Sequence, residues 1–455
     1  MKLDKKSLFD FASRERSSFE SALKELVELP SVSADPARAG DVRSCAELAC
    51  DAIREFGGDA EMFETAGHPI VHGRFRSGNG GPTVTIYNHL DVQPASRETE
   101  PWKTDPFKFT KDGDRYFGRG TTDDKGPALS ALWGMRAARE AGVPVNVNVL
   151  WELEEEIGSP NFEAAIRKNA KKLKTDHVIV SDTIWVSRSR PACPAGLRGL
   201  QGFTLTLEVG ETDQHSGVTG GAARNPIGEL MKLVSQMYDA QTGAVKMKGF
   251  YDDVAKPSRK ELDDFRKCGF SVSQFKKDHL FKSIRSSNSM DVMKRIWAMP
   301  TFEVHGLIGG YTGPGIKTII PPRAEVKISC RLVPNQDPKK ISDIVRRFVK
   351  RNNPDVEVAF ESSMYPYLAP TTGPLAGAVK DAMKFAFGRE PVFVREGGSI
   401  GAVNSMEEVL ECPVMFLGLS LPEHGYHAPN ENYDWRQASG GMVAFAKYFE
   451  NVSKL

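Results

Sequence analysis

Near the start of the chain, Leu8, Phe9, Phe11, Phe19, Leu23, Leu26 and Val27 recur among charged residues at helical spacing, which predicts an amphipathic helix over 5–29. Pro30-Ser31-Val32-Ser33 interrupts it, and a second amphipathic helix is predicted over 40–56, stopped by Gly57-Gly58. Strands follow near 59–64 and 69–75, then a turn at Gly78-Asn79-Gly80-Gly81. Thr83-Val84-Thr85-Ile86-Tyr87-Asn88 is rich in β-branched and aromatic side chains and reads as a buried strand. A helix over about 127–141, a strand over 145–153 and a short strand over 178–180 continue the alternation. Strands alternating with helices predict an α/β layer with a mixed, mainly parallel sheet flanked by helices.

The pattern changes near residue 198. An alternating strand over 201–209 is followed by a helix over 224–239 and a charged, helix-leaning insertion over 250–297. A strand over 301–307, a glycine-rich turn (Gly309, Gly310, Gly313, Gly315), a strand over 324–333, a helix over 337–352 and a strand over 355–362 complete the unit. Strand-helix-strand-strand-helix-strand is the ferredoxin-like α+β plan. From about 372 the α/β pattern returns, with a helix over 373–387, a strand over 414–417 and a last helix over about 436–450. We therefore expect a discontinuous catalytic domain, 1–197 and 372–455, with a smaller domain, 198–371, inserted into it. At 455 residues the chain exceeds what one core usually supports, in keeping with that division.

Composition narrows the function classes. The chain is 40% hydrophobic and 26% charged, the balance of an ordinary globular protein. Sixty basic against 59 acidic residues leave a net charge of +1, so nothing favours nucleic acid as the partner. The charged start, Met1-Lys2-Leu3-Asp4-Lys5-Lys6, lacks an export signal's apolar core, and no later stretch has the apolar length of a membrane span. A cytoplasmic location is expected. Cys45, Cys50, Cys193, Cys268, Cys330 and Cys412 are scattered, without a Cys-x-x-Cys pair, so any metal must be held by histidine and carboxylate.

Such ligands are present. The strand at 83–88 runs into His89 and Asp91, which share a face at i and i+2: an imidazole ligand and an acceptor that can orient it. Asp123, Glu155 or Glu156, Asp182 and His427 are further candidates. His89, the glutamates and Asp182 all fall at strand C-termini, where ligands gather in open α/β sheets. Two histidines and three carboxylates, one of them bridging, give each of two ions three protein ligands and an open position. Two ions about 3.5–4 Å apart serve metal-assisted amide hydrolysis. The triplet Glu154-Glu155-Glu156 leaves its register open, because neighbours on a strand point opposite ways unless the chain has begun to turn, as Gly158 permits. The Gly309–Gly315 run lacks the lysine and the strand-to-helix setting of a phosphate loop.

From about residue 20 to the C-terminus the chain resembles the M20 metallopeptidase family, and within it the cytosolic dipeptidase and carnosinase branch. The resemblance rests on His89-Leu90-Asp91-Val92-Gln93-Pro94, Gly118-Arg119-Gly120-Thr121-Thr122-Asp123-Asp124-Lys125-Gly126-Pro127 and Glu154-Glu155-Glu156-Ile157-Gly158-Ser159. It continues through Ser181-Asp182, Asp213-Gln214-His215-Ser216-Gly217, Arg395-Glu396-Gly397-Gly398-Ser399 and His424-Gly425-Tyr426-His427-Ala428-Pro429-Asn430-Glu431. It implies that His89 and Asp182 hold one ion, Glu156 and His427 the other, and Asp123 bridges them across a cis bond to Asp124. Asp91 would orient His89, and Glu155 would be the general base. The inserted domain, 198–371, would be a lid and dimerisation domain, from which His215 would reach the active site of a partner subunit in a homodimer and stabilise the oxyanion. Arg331 would grip the substrate's C-terminal carboxylate, assisted by Thr318, Gly398 and Ser399.

The ions implied are two divalent cations, zinc first, with manganese or cobalt suiting the same ligands. The activity implied is hydrolysis of dipeptides or short peptides with a free C-terminus. An N-acyl amino acid amidohydrolase using the same site is the alternative reading, and a non-catalytic peptide-binding relative a third, though no ligand of the set is missing.

Overall fold

The computed structural model describes residues 3–78 and 80–455. Helix α1 (Lys5–Val27) starts where Asp4 accepts the Ser7 N–H at 2.8 Å, satisfying one of the free donors of the first turn. Its apolar stripe, Leu8 to Val27, is buried, and α2 (Ala39–Glu55) buries Val42, Cys45, Ala46, Ala49, Cys50 and Ile53. Then come β1 (Asp59–Phe63), β2 (Ile70–Phe75) and β3 (Thr83–His89). The turn expected at Gly78–Gly81 includes Asn79, which lies outside the described residues, as do Met1 and Lys2 of the charged start.

Helix α3 (Lys125–Glu140) and strand β4 (Asn146–Glu152) follow, then α4 (Phe162–Asn169) and β5 (His177–Val180). The central sheet runs β1-β2-β4-β3-β5 and ends on a strand from the far end of the sequence, Val414–Phe416. The first two pairings are antiparallel and the other three parallel, giving the mixed, mainly parallel sheet expected. β3 lies at its centre and is buried from Val84 to His89, so its C-terminus opens where the crossover loops gather.

The smaller sheet is built from β6 (Gly199–Glu208), β7 (Glu303–Gly309), β8 (Arg323–Leu332) and β9 (Glu357–Met364) in the order β7-β8-β6-β9, antiparallel throughout. Helices Pro226–Met237 and Pro338–Asn352 supply its crossovers, completing the ferredoxin-like plan. Alternate residues of β6 are buried, and Phe203, Leu205 and Leu207 join Leu230, Leu233, Val326, Ile344 and Val345 in a core separate from the large one. The 250–297 insertion forms short helices at Arg259–Lys267, Val272–Asp278 and Ser289–Met293, running into a π-turn at Lys294–Ala298. Its Phe265, Cys268, Met293 and Trp297 belong to the large core, whereas Phe250 belongs to the small one.

A three-stranded sheet of Tyr367–Leu368, Ala192–Leu197 and Val392–Arg395 was not legible in the sequence. Pro191, Pro194 and Gly196 break any alternation there, and Ala192–Leu197 is buried at every position, so tertiary packing makes that strand.

The last helix, Trp435–Val452, is buried along nearly its whole length and lies against α3. Gly134 permits that approach: a β-carbon there would stand 2.6 Å from Phe445 Cβ and 2.7 Å from the Met442 carbonyl oxygen. Gly134→Ala is expected to lower stability by about 1–3 kcal/mol through overpacking against backbone. Gly40→Ala, in open space in α2, should stabilise by about 0.5 kcal/mol. Urea unfolding midpoints in chelator measure both.

Candidate metal centre and substrate cleft

His89 leaves β3 with both ring nitrogens engaged. Nδ1 lies 3.0 Å from the Asp91 carbonyl oxygen and 3.5 Å from its Oδ1, while Nε2 lies 3.0 Å from Asp123 Oδ1 and 3.8 Å from Asp182 Oδ2. A nitrogen facing a carbonyl carries the proton, so Nδ1–H points at Asp91 and Nε2 offers its lone pair toward two carboxylates. Acceptors that converge in this way need a cation between them, or a proton on the ring. Without metal the ring takes the proton: burial lowers the His89 pKa, but Asp123, Asp91 and Asp182 outweigh it and push the pKa well above the usual value.

The second group is built from Asp123, Glu156 and His427. His427 Nε2 lies 3.0 Å from Asp123 Oδ2 and 3.1 Å from Glu156 Oε2, and Gln93 Nε2 donates to the same Glu156 oxygen at 2.7 Å. The His427 contacts with Asp123 and Glu156 raise that imidazole to about 11. His427 has φ 53, in the left-handed region that non-glycine residues seldom occupy, and its side chain is 55% exposed at the mouth of the site.

In each group, His89–Asp123–Asp182 and Asp123–Glu156–His427, the donor atoms lie within 4.8 Å of one another, and Asp123 belongs to both. Among the described residues no lysine or arginine pairs with Asp91, Asp123, Glu155, Glu156 or Asp182. Imidazole and carboxylate donors, a shared aspartate and uncompensated negative charge fit two divalent cations.

The glutamate register follows from Asp91. Its carboxylate accepts the N–H groups of Glu155 (3.2 Å) and Glu156 (3.0 Å) and the Ser33 hydroxyl (2.7 Å). It thereby caps a single 3₁₀ turn, Glu155–Ile157, closed by Gly158 at φ 87. Glu154 turns away: it accepts the His68 N–H at 2.9 Å and both its oxygens meet Asn161 Nδ2. The Glu155 carboxylate has no hydrogen-bond partner among the described residues. Burial pushes it well above the ordinary range, with His89 opposing and Asp182 and Glu156 adding to the rise.

Glu431, not singled out from the sequence, fixes the loop that carries Asp123. Oε1 accepts the N–H groups of Thr122 (2.9 Å) and Asp123 (3.0 Å), and Oε2 accepts those of Gly120 (2.9 Å) and the Arg119 guanidinium (2.9 Å). Nothing local marks Glu431 as buried; only the loop folded around it does. The Asp123–Asp124 peptide is cis, and Asp124 accepts from Asn88 at 2.6 Å. Tyr426 donates to Asp182 at 3.2 Å. His424 is buried against Thr122 and Asp434.

At the other side, Arg331 Nη1 donates to Ser399 Oγ at 3.0 Å, and Ser399 donates to the Arg198 carbonyl. The Arg198 N–H meets the Gly398 carbonyl at 2.9 Å. Neither guanidinium pairs with a carboxylate among the described residues, and burial with Arg331 alongside lowers Arg198 to about 10. His215 and Thr318 are not brought to this cluster. They sit exposed beside each other where Gln214–His215 pairs with Ile319–Ile320, and His215 Nδ1 accepts only the Gly217 N–H, at 3.0 Å.

The chain is similar to known proteins over its whole length. Residues 85–451 match the peptidase family M20/M25/M40. The Cys-Gly metallodipeptidase dug1 of Schizosaccharomyces pombe is 31% identical, with 100% of each chain covered. Among solved structures, the M20 family metallo-carboxypeptidase Sso-CP2 from Sulfolobus solfataricus has a TM-score of 0.86 at 31% identity, covering 95% of this chain and 98% of that one. The dipeptidase Dug1p from Saccharomyces cerevisiae has a TM-score of 0.83 at 29% identity, covering 99% of each. With the family match spanning most of the sequence and the full-length relative beside it, the chain belongs to the M20/M25/M40 peptidase family.

Proposed function

We propose that the protein is a dinuclear-metal dipeptidase, cleaving the peptide bond of dipeptides or short peptides that end in a free carboxylate. The observation that carries this is the pair of three-ligand groups sharing Asp123, flanked by the unpartnered Glu155 on one side and by guanidiniums without counter-ions on the other. His89 and Asp182 would hold one ion, Glu156 and His427 the other, with Asp123 common to both. Bound there, the ions would polarise the scissile carbonyl and make water a nucleophile at neutral pH; zinc is our first choice, with manganese and cobalt suiting the same ligands.

The chain's own residues do the rest. Asp91 holds the His89 ring and sets the Glu155–Glu156 turn. Glu155 takes a proton from the attacking water and returns it to the leaving amine. Arg331, steadied by Ser399, grips the terminal carboxylate with its remaining donors, with the Gly398 backbone adding a hydrogen bond; Thr318, exposed beside His215, would reach the substrate only as His215 does, from a partner subunit. His215 acts on the oxyanion across a homodimer. Residues 1–197 and 372–455 serve as the catalytic domain and 198–371 as the lid and dimerisation domain. The edge strand β7 supports the dimer: Val304, Leu307 and Ile308 are 40–52% exposed there, beside Met231 at 59%, on a strand whose outer ladder pairs with no other strand among the described residues.

Among the described residues no helix is long and apolar enough to cross a membrane. Six free, buried cysteines suit a reducing compartment, and we place the protein in the cytoplasm. Dipeptidases among the relatives favour peptide hydrolysis over deacylation.

Metal-loaded protein should show a higher kcat/KM on dipeptides than on the matching N-acetyl amino acids; the reverse order would turn the reading to deacylation. Glu155→Gln should lower kcat about 10²–10⁴-fold with both metals retained by elemental analysis, and metal loss would reassign the glutamates. His215→Ala and Arg331→Ala should each be impaired alone, yet recover activity when mixed as dimers. Verified mixed dimers without recovery would count against a shared site.

A further inference from the structure

The 250–298 segment touches the substrate loop from two sides. Its first helix, Arg259–Lys267, begins in a reciprocal cap between Ser258 and Glu261. Glu261 also receives the Arg395 guanidinium, at 2.8 Å from Nη2 and 3.1 Å from Nε, while Arg395 Nη1 reaches the Ala255 carbonyl at 3.5 Å. The pair is nearly closed to water, with side-chain exposures of 3% and 16%. Arg395 immediately precedes Glu396-Gly397-Gly398-Ser399, so its position sets where that loop departs. At the other end of the segment, the π-turn Lys294–Ala298 closes onto Arg198, whose Nη2 donates to the carbonyls of Arg295 and Met299 (2.8 Å to Met299). A cation on the last carbonyls of a helical turn is favourably placed. The same Arg198 binds the loop through its backbone, N–H to Gly398 and carbonyl to Ser399. The Ile296 carbonyl would stand 3.7 Å from a β-carbon at Gly397. Phe265 and Trp297, in T-shaped contact at 4.9 Å, tie the two ends together inside the large core.

We propose that this segment is a brace for the Gly397–Ser399 loop. Arg198 and the Arg395–Glu261 pair act as positioning residues that set Ser399, and through it the Arg331 fork, for the substrate's terminal carboxylate. The proposal rests on Arg331 and Ser399 being the carboxylate site. The brace itself does not, because it can be read from the loop directly.

The test uses the full-length, metal-loaded protein. Amide hydrogen exchange of residues 396–400 should rise about tenfold or more in Glu261→Ala and in Arg198→Lys, while Trp435–Val452 keeps its wild-type protection. Both variants should raise KM for a dipeptide with kcat little changed, and narrow the kcat/KM preference for the free acid over the same dipeptide's C-terminal amide by roughly tenfold. Glu261→Gln, which keeps an acceptor facing Arg395, should restore most of that preference. Unchanged loop exchange overturns the brace, whatever the substrate proves to be. A rise shared equally by the last helix reduces the role to general stability and overturns it as well. A loosened loop with an undiminished preference for the acid overturns the link to carboxylate recognition. A wild type without that preference removes the Arg331 assignment, and loop exchange then decides the brace alone.

Discussion

Uncompensated negative charge is the constraint around which the molecule is arranged. Asp91, Asp123, Glu155, Glu156 and Asp182 converge with two imidazoles and, among the described residues, pair with no lysine or arginine. Withdrawing even one carboxylate from water costs several kcal/mol unless it is paired or hydrogen-bonded. Where protein groups meet the charge, they are the backbone N–H groups and Ser33 hydroxyl on Asp91, the Gln93 amide on Glu156 and the Tyr426 hydroxyl on Asp182, and those bonds also fix geometry. Where they do not, the remaining charge is what attracts and selects small, highly charged cations.

Two buried carboxylates that need bind no metal show how positioning is achieved. Asp91 gathers the N–H groups of Glu155 and Glu156, and Glu431 gathers those of Gly120, Thr122 and Asp123. Each converts a loop into a fixed platform by satisfying donors that would otherwise seek water. Glu431 is further pinned by the buried Arg119, which donates to it through Nη1 and lies over the Trp102 ring, while its Nε has no partner among the described residues. The candidate metal ligands are therefore held from behind by charge and backbone together.

Much of this was legible in the sequence because it is local. Alternation and helical spacing located the strands of the central sheet and the long helices, and the i, i+2 relation of His89 and Asp91 placed both at one strand end. What was not legible depends on contacts between distant segments. The choice between Glu154 and its neighbours turns on Asp91 and Asn161, which no periodicity brings near. Glu431 is a carboxylate in a polar loop until Arg119 and three amides surround it. The Ala192–Leu197 strand, interrupted by Pro194, is a strand only because Tyr367–Leu368 and Val392–Arg395 flank it. The 250–297 insertion read as charged helix, but its attachment through Glu261 and Arg295 lies in pairings across the fold.

The route of the chain through the central sheet has a consequence for biosynthesis. The edge strand Val414–Phe416 completes a sheet begun by residues 59–89, and His427, Glu431 and the buried last helix arrive after it. A ribosome releasing the chain from its N-terminus exposes the His89 and Asp123 side chains long before the residues that close their cluster exist. The nascent chain thus carries an acidic, half-built cluster beside an open sheet edge until the final helix docks on α3. A product truncated before that helix would leave the apolar face of α3 without the surface that covers it.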